Sequence, residues 1–515
     1  MSLQELELLR AKFAARIVSG TRLSDMCESV RKWERRECFV RLENYLYQPG
    51  RRQQVCLLYG LRGTGKHTLI LQALAAMTPE NLKRTAYVKI EQTDNLTVVS
   101  ESLHQLFDLG YKFIFIDEVT RLDEFIDCAS LFSDIYAAMG LKIVLSGADS
   151  LGLWLTLYEE LYDRAKAIHT TFIPYREYSR LLQTGSIDAY ICQGGTLAAP
   201  DAAAGDGAFC DPRAVRHYID SAIARNIEHS LACYESGCHF RHLYSLYEAH
   251  TLTTAVSWVI EEINQRFLLS VLSRDGKSSD FAAVTKSLMG MLDSHKMEGQ
   301  ALGITQAHIT EIKEYLAALD LTVKAPVELP GTDLEPEEQL LFTQPGLRYC
   351  QVQALVHALL QDDALSGLSA AEKARLSERI LQSVRDRMLK DLVLLETLKA
   401  ADRKHWVFKL QLDGGEFDMA VYDKNTFCCT LFEIELSRER KPEQYQQLIN
   451  ADLCRKTEAR FGPIKGRYVL YRGEDCTCEN GVQYWNVESY LKSLPDLALV
   501  RTPVVQQTKQ SGNLG

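Results

Sequence analysis

Short apolar runs alternate with amphipathic stretches across the first part of the chain. The runs at 54–60, 86–91, 113–118 and 142–147 each have the length and composition of a buried strand, whereas 67–77 has helical spacing. Strands that alternate with helices of about ten or more residues are typical of a parallel sheet covered by helices on both faces. The pattern therefore predicts an α/β fold with a parallel sheet core.

Helical patterns fill the stretches on either side of this core. Residues 1–50 and 213–272 have helical spacing throughout. Residues 305–327 form a helix pattern that runs into a strand-like tail, which is the outline of a winged helix, although any helix followed by a strand has this outline. We predict a helical and winged-helix-like region in the middle of the chain.

A second α/β unit is predicted near the end of the chain. Residues 369–400 are helical, and 406–424 show the period-two alternation of two strands around a Gly414-Gly415 turn. A further strand at 429–437, a helical stretch at 441–462 and a strand at 466–473 follow. Residues 194–212 and 329–338, rich in Gly, Ala, Pro or acidic residues, are the predicted boundaries.

Composition limits the compartment and the partners. The chain has 515 residues, a net charge of −10 and 14 cysteines scattered without metal-site spacing. No apolar run reaches the ~18 residues that a membrane span needs. We therefore expect a cytoplasmic protein with reduced thiols, with no membrane partner and no general coating of nucleic acid.

A glycine-rich stretch follows the first predicted strand. Residues 60–66 match the pattern G-x-x-x-x-G-K, in which backbone N–H groups surround phosphates and the lysine ammonium reaches the terminal ones. A predicted strand precedes the motif and a predicted helix follows it, as such a loop requires. We predict that ATP is bound by Gly60, Gly63, Thr64, Gly65, Lys66, His67, Thr68 and Ser146.

Two acidic residues end the third predicted strand. Four apolar positions place Asp117 at its carboxyl end, beside the loop, where the side chain can hold the water shell of Mg²⁺. Glu118 can then polarise the attacking water, which makes it the predicted catalytic base. ATP and Mg²⁺ are therefore the predicted cofactors, with Asp117 as the metal residue.

His67 is the unusual position of the motif, because a serine or threonine hydroxyl normally binds Mg²⁺ there. Mg²⁺ prefers oxygen ligands in octahedral geometry. Thr68 does not replace the hydroxyl, since one helical residue turns the side chain by about 100°. Binding is thus better supported than hydrolysis, and we expect slow turnover. The alternative is that His67 only packs against the loop.

Two more residues are candidates with open alternatives. Ser146 ends the strand at 142–147 and can sense the γ-phosphate, although this end of the strand can equally be a helix cap formed with Asp149 or Ser150. Arg164 is a candidate arginine finger for its own or a neighbouring subunit's site, and an ordinary surface arginine is the alternative.

At these residues the chain resembles bacterial and archaeal AAA-type P-loop ATPases that carry a restriction-endonuclease-like (PD-(D/E)XK-type) C-terminal domain. The resemblance covers most of residues 50–475, through LYGLRGTGKHTLILQ, KFIFIDEVTRL, KIVLSGADSLGL, AIARNIEHSL, TQPGLRYCQ, GGEFDMAVYD and FEIELS. It implies an ATPase core, a helical and winged-helix middle and a nuclease-like end. The predicted units are a helical segment (1–50), the P-loop core (51–200), a helical and winged-helix-like region (201–340), a nuclease-like domain (341–500) and a disordered tail (501–515).

The nuclease-like end departs from the pattern of active enzymes of this kind. Asp418 matches the first acid and Glu433 the second, but Glu435 occupies the position of the lysine that activates water. The three carboxylates are a candidate second metal site, and Lys390 on the preceding helix is the one candidate for the missing cation. We favour a degenerate binding or structural module over an active nuclease; a solvated acidic strand edge is the plainer alternative.

Three functions follow from these patterns. The first is an ATPase that binds and slowly hydrolyses ATP to control its helical and C-terminal domains, with a homo-oligomer as a candidate assembly. The second is a nucleotide-gated scaffold or regulator that binds DNA without meaningful turnover. The third is an ATP-dependent metal nuclease. The basic residues Arg438, Arg440, Lys441, Arg455 and Lys456 are candidates for phosphate-backbone contacts or a solvated helix face.

Overall fold

The computed structural model of the chain contains two β-sheets joined by a helical region. The tail predicted at 501–515 and residues 198–208 of the predicted linker lie outside the described residues. The structure describes residues 3–48, 54–122, 124–149, 152–153, 156–157, 160–183, 186–197, 209, 211–233, 240–274, 279–329 and 337–495.

The first sheet is the predicted parallel core. It is built from β1 (Val18–Ser19), β2 (Val55–Tyr59), β3 (Thr85–Lys89), β4 (Phe113–Asp117), β5 (Lys142–Gly147) and β6 (Ala165–His169). The order is β1-β3-β4-β5-β2-β6, and every pairing is parallel except that of β1 with β3. Because β5 lies between β2 and β4, its carboxyl end sits between the loop after β2 and the acids after β4.

Helices cover both faces of this sheet. Leu23, Phe39 and Leu42 of the N-terminal helices are buried in the same apolar cluster as Leu58 of β2, so the predicted N-terminal segment packs directly on the sheet. The helices of this part are α1 (Leu3–Arg16), α2 (Gly20–Met26), α3 (Phe39–Tyr47), α4 (Lys66–Ala75), α5 (Pro79–Leu82), α6 (Leu96–Asp108) and α7 (Phe125–Cys128).

The middle of the chain is helical, as the sequence predicts. One π-helical segment, Ile219–Ala224, joins two of its helices. The helices are α8 (Tyr175–Leu181), α9 (Ile187–Gln193), α10 (Pro212–Tyr218), α11 (Arg225–Cys233), α12 (Arg241–Glu248), α13 (Leu252–Arg274), α14 (Ser279–Ala301) and α15 (Gln306–Ala318). Among the described residues, no helix combines the length and apolarity needed to cross a bilayer.

The second sheet has eight strands. They are β7 (Thr322–Glu328), β8 (Glu337–Phe342), β9 (His405–Leu412), β10 (Gly415–Asp423), β11 (Cys428–Ile434), β12 (Ile464–Tyr471), β13 (Cys476–Thr477) and β14 (Gln483–Asn486). The order is β13-β14-β12-β11-β10-β9-β7-β8. The accompanying helices are α16 (Pro345–Leu359), α17 (Ala370–Ala400), α18 (Ala451–Phe461) and α19 (Val487–Ser493).

The strands after α15 differ from the winged-helix expectation. β7 and β8 form an antiparallel hairpin, but β7 also pairs in parallel with β9, so the hairpin is the edge of the second sheet. Ala325 and Leu341 are buried in the core of that sheet, which is the physical reason for this attachment. The predicted boundary between residues 340 and 341 consequently falls inside β8.

Helix α17 connects the two halves of the molecule. A capping box of Ser369 and Glu372 begins the helix, and Ser369 Oγ accepts a hydrogen bond from the Glu372 N–H. Near its other end, Lys399 Nζ lies 2.6 Å from Asp320 Oδ1, and Thr171, which follows β6, donates a hydrogen bond to Asp320 Oδ2. The chain just past the first sheet is therefore tied to the helix that supports the second.

Glu396 of α17 makes a second contact with the chain that follows the first sheet. Its carboxylate is buried and accepts a hydrogen bond from the Tyr175 N–H at 2.6 Å. Burial raises the pKa of Glu396 to about 8, although the Tyr175 hydrogen bond and Arg176 oppose the shift. A buried carboxyl with this pKa makes the junction sensitive to pH.

Candidate nucleotide-binding site

The predicted phosphate loop has the backbone that such a loop needs. It leaves β2 at Gly60 and enters α4 at Lys66, with Gly60, Gly63 and Gly65 at φ values of +151°, +82° and +87°. A Cβ atom at Gly60 would lie 2.3 Å from Thr170 Oγ1, so glycine is also required there by space. Strand, bent loop and helix follow in the predicted order.

Lys66 lies inside the loop. Its side chain is 8% exposed, and Nζ donates hydrogen bonds to the carbonyl oxygens of Gly60 at 2.7 Å and Leu61 at 2.9 Å. Burial lowers the pKa of Lys66 to about 8, while Glu118 and Asp117 partly offset this shift. An anion bound in the loop would stabilise the charged form of this group and raise its pKa again.

The two threonines of the motif have different surroundings. Thr64 is buried, and its hydroxyl donates to the Leu61 carbonyl and lies 2.8 Å from Thr170 Oγ1, so it stabilises the loop from within. Thr68 lines the cleft beside the loop. His67 lines the same cleft, although successive helical residues differ in side-chain direction by about 100°.

Asp117 is the centre of the polar network next to the loop. Its Oδ2 lies 2.8 Å from His67 Nδ1 and accepts a hydrogen bond from the Tyr87 hydroxyl at 3.0 Å. Its Oδ1 accepts from the Ser146 hydroxyl and from the Glu118 N–H. Burial alone would raise the pKa of Asp117, but the contacts from His67, Ser146 and Tyr87 outweigh it and hold this pKa below its ordinary value.

Ser146 thus contacts the predicted metal residue directly. Leu58 of β2 pairs with Ser146 on β5, and Ile116 of β4 pairs with Leu145, which brings Ser146 level with Asp117. The capping alternative applies to Asp149, whose Oδ1 accepts a hydrogen bond from the Gly152 N–H at 2.8 Å. Ser150 lies outside the described residues.

A cleft of about 1170 Å³ opens beside the loop. Glu118, the predicted base, lines it together with the loop and the first turn of α4. Its φ of +58° places it in the left-handed region, an uncommon conformation for a residue with a side chain. The acid therefore leaves the strand at a sharp bend and faces the cleft rather than the sheet.

Several lining residues were not predicted. Arg225, Asn226 and His229 come from α11, Arg62 comes from the phosphate loop itself, and Arg121 ends the short 3₁₀ helix Val119–Arg121 after β4. The sequence carried one signal for the first set, because Arg225 and His229 are four residues apart and share a helix face. Without the fold, nothing in the sequence shows that this face meets the phosphate loop.

Helix α11 is fastened to the carboxyl end of β5. Asp149, which is buried, lies 2.7 Å from His229 Nδ1 and accepts a hydrogen bond from the Ser230 hydroxyl at 3.0 Å. Asn226 donates to the carbonyl oxygen of Ala148 at 2.7 Å. The helical region is thereby attached to the strand that also presents Ser146 to Asp117.

Arg164 lies elsewhere. It directly precedes β6, which runs parallel to β2. Arg164 is therefore at the amino ends of these strands, whereas the phosphate loop follows the carboxyl end of β2. Its guanidinium contacts both carboxylate oxygens of Asp134, at 2.6 and 2.5 Å. This placement excludes contact with the phosphate loop of its own chain, which corrects the own-site interpretation of Arg164.

The second predicted site is a compact group of charges on β10, β11 and α17. Lys390 Nζ lies 3.0 Å from Asp418 Oδ2, which also accepts a hydrogen bond from the Ile434 N–H. Burial and the charge of Asp418 raise the pKa of Glu433, and burial raises that of Glu435 to about 7. Within the described residues no group of three His, Cys, Asp or Glu side chains is placed to hold a metal ion. Lys390, the candidate for the missing cation, thus pairs with the first of the three predicted carboxylates.

Comparisons with known proteins bear on the first of these sites. Residues 52–179 match the family model of the AAA domain. No curated protein matches the chain. The likenesses to solved structures are low in both sequence identity and TM-score.

Three solved structures illustrate these likenesses. The Walker-type ATPase PABY2304 of Pyrococcus abyssi is 14% identical, with 62% of this chain and 95% of that chain covered and a TM-score of 0.33. The Hsp104–ADP complex of S. cerevisiae is 10% identical, with 72% and 51% covered and a TM-score of 0.25. PCH-2 of C. elegans is 14% identical, with 43% and 64% covered and a TM-score of 0.21. Residues 52–179 of this chain form an AAA-type P-loop ATPase domain.

Proposed function

We propose that the chain binds ATP at the loop from Gly60 to Lys66 and hydrolyses it slowly. The observation that carries this proposal is the state of Lys66, a buried ammonium group held by two carbonyl oxygens at the start of a helix. Backbone N–H groups at the amino end of α4 add a positive potential to the charge of Lys66. A triphosphate supplies the negative charge that the loop lacks.

Residues of the loop and the cleft can each be given a role in ATP binding and hydrolysis. Lys66 binds the terminal phosphates, and the backbone of Gly63 and Gly65 approaches them closely because no Cβ intervenes. Glu118 orients and polarises the attacking water from the cleft wall. Arg225 and Arg121 supply further positive charge to the phosphates from the cleft.

Nucleotide binding would affect the helical region and the C-terminal domain through two sets of contacts. Arg36 donates hydrogen bonds to the Thr64 carbonyl at 2.8 Å and to Glu177 at 2.7 Å, so it joins the loop to α8. On the other side, the Leu197 N–H donates to the Gly63 carbonyl. We propose that phosphate binding moves these contacts and thereby changes how the helical region and the C-terminal domain sit.

Arg164 fits a role between subunits. It lies away from its own loop, is partly exposed and is paired with Asp134 on the surface. In a homo-oligomer it would reach the phosphates bound by a neighbouring copy, where an added guanidinium stabilises transition-state charge. Loss of ATPase activity in Arg164→Ala, with ATP binding retained, is the expected result.

Phosphate release tests the enzyme proposal. Wild type should release phosphate slowly, whereas Lys66→Ala should not bind ATP and Glu118→Gln should bind ATP with a rate at least about 100-fold lower. Equal rates in the three proteins would contradict an ATPase. ATP binding without measurable release would instead favour the nucleotide-gated DNA scaffold, and His67→Thr should then gain hydrolysis.

A metal-dependent nuclease is the second candidate function, with one observation for it and one against it: Lys390 brings a cation from α17 to Asp418, but the described residues contain no group of three metal-binding side chains. The order of helix α17, strands β9–β11, helix α18 and strand β12 also agrees with a restriction-endonuclease-like module. Incubation with DNA and Mg²⁺ or Mn²⁺, with and without ATP, tests this function. Cleavage by wild type and its loss in Asp418→Ala would establish it; intact DNA under all conditions would leave a binding or structural module.

A further inference from the structure

The metal that accompanies the nucleotide in P-loop ATPases is Mg²⁺, but the donor set here does not suit that ion. Mg²⁺ demands oxygen ligands in near-ideal octahedral geometry. The position that should present a hydroxyl presents the imidazole of His67, which is 53% exposed and faces Asp117. The loop of this chain therefore offers one nitrogen and one carboxylate oxygen.

We propose that the ATP site takes a divalent transition metal, with His67 and Asp117 as direct ligands, in preference to Mg²⁺. The proposal rests on the ATP binding proposed above and specifies the metal of that same site. Imidazole nitrogen binds first-row ions from manganese to zinc, with affinity rising towards the later members, whereas it is a poor ligand for Mg²⁺.

The spacing of the two donor atoms supports direct coordination. His67 Nδ1 and Asp117 Oδ2 are 2.8 Å apart. Two ligands at right angles on a metal, each at about 2.1 Å, are separated by about 3 Å. The two atoms are therefore close enough to share one metal ion, provided that the exposed imidazole of His67 turns so that its Nδ1 lone pair points at the metal and no longer at Oδ2.

The surroundings of Asp117 hold its carboxylate in one orientation. The Tyr87 hydroxyl donates to Oδ2, and the Ser146 hydroxyl and the Glu118 N–H contact Oδ1. Hydrogen bonds of this kind to a ligating carboxylate fix its direction and tune its affinity for metals. The carboxylate is therefore already oriented for a ligand at the position of His67.

Two protein donors do not make a metal site on their own. The described residues contain no group of three or more metal-binding side chains. The remaining ligands must be phosphate oxygens and water, so the metal should bind only together with the nucleotide. This dependence separates the proposed site from an adventitious surface metal.

Electron spin-echo spectroscopy of Mn²⁺ tests direct ligation. Wild type with Mn²⁺ and ATPγS should show modulation from a coordinated ¹⁴N, and His67→Thr should lose it while still binding the nucleotide. His405→Thr is a matched control, because His405 also lies beside an aspartate, Asp402, at 2.7 Å, yet is remote from the loop. That variant should retain the modulation.

Metal preference gives a second readout. The affinity for ATPγS should be about tenfold or more higher with Co²⁺ than with Mg²⁺ in wild type, and this ratio should fall towards one in His67→Thr. Mn²⁺ without nucleotide should not be retained in equilibrium dialysis. Nucleotide binding with no ¹⁴N modulation, or with equal affinity for both metals, would overturn this inference alone. Absence of nucleotide binding with either metal would overturn the ATP site as well.

Discussion

Lys66 in the phosphate loop, which is buried, and Lys390 on α17, which is half-buried, have pKa values displaced in opposite directions. Burial dominates at Lys66 and lowers its pKa to about 8. At Lys390 burial acts the same way, but four carboxylates outweigh it and raise the pKa. These four are Asp418, Asp386, Glu435 and Glu433.

The opposite pKa shifts distinguish two kinds of site. The site around Lys66 lacks a negative counter-charge, whereas the charges around Lys390 already balance one another. Lys66 contacts neutral carbonyl oxygens, so a bound phosphate would be its counter-charge. Lys390 already has its counter-charge in Asp418, so its main contribution is to the folded structure. The charges around each lysine, and not burial alone, therefore distinguish their roles.

The largest expected effect is on stability. Lys390→Met should lower the free energy of unfolding by about 3–5 kcal/mol, because removing Lys390 leaves the buried carboxylate of Asp418 without its ion-pair partner. Lys66→Met, which removes an uncompensated buried cation, should lose less than about 1 kcal/mol. Denaturant unfolding of the full chain measures both. Similar losses of unfolding free energy in the two variants would show that the two lysines contribute equally to stability.

Ligand binding should show the reverse order. Lys66→Met should weaken ATP binding at least about 30-fold, or about 2 kcal/mol, since a desolvated cation that contacts phosphate is lost. Lys390→Met should bind ATP as wild type does. Titration calorimetry provides the measurement, and a large ATP effect in Lys390→Met would show that the second cluster belongs to the nucleotide site.

The junction between the two regions should respond to pH. The pKa of Glu396 is raised to about 8 in the folded chain, so folding takes up a proton between about pH 4.5 and 8. Stability should therefore fall by roughly 2–4 kcal/mol as pH rises through this window. Glu396→Gln should lose this decline when unfolding is measured at pH 5, 6.5 and 8. A parallel decline in the variant would assign it to other groups.

The smallest effect concerns the network around Asp117. Ser146→Ala removes one hydroxyl from this carboxylate and should cost about 1 kcal/mol of unfolding free energy. Ser273→Ala, which removes an exposed hydroxyl bonded to a helix carbonyl, should cost less than about 0.5 kcal/mol. If the two costs are equal, Ser146 does not support Asp117.

Four of the first-sheet strands, β2 to β5, were predictable in position because each is a short apolar run with a clear end. Lys142–Gly147 has the bounds that the sequence predicted, and Val55–Tyr59 lies within its predicted run. β6 was missed, since Ala165–His169 contains one lysine and one histidine among only three apolar residues. Its place in the sheet depends on pairing with β2, which no local sequence pattern records.

Only those parts of the site that lie within a short stretch of sequence were predictable. Lys66 and Asp117 follow from motifs in which neighbouring residues fix each other's position. The contacts of His67 with Asp117, of Asp149 with His229 and of Lys390 with Asp418 join distant segments. The attachment of the β7–β8 hairpin to β9 is of the same kind, because a sheet edge depends on what packs beside it.

Arg36 has a consequence for how the ATPase domain can be produced in isolation. The matched family region begins at residue 52, yet Arg36 donates hydrogen bonds to the carbonyl oxygens of Thr64, Thr171 and Phe172. A fragment cut at the family boundary would lack this guanidinium and leave Glu177 buried without its cation. The shortest fragment with an intact phosphate loop should start upstream of Arg36.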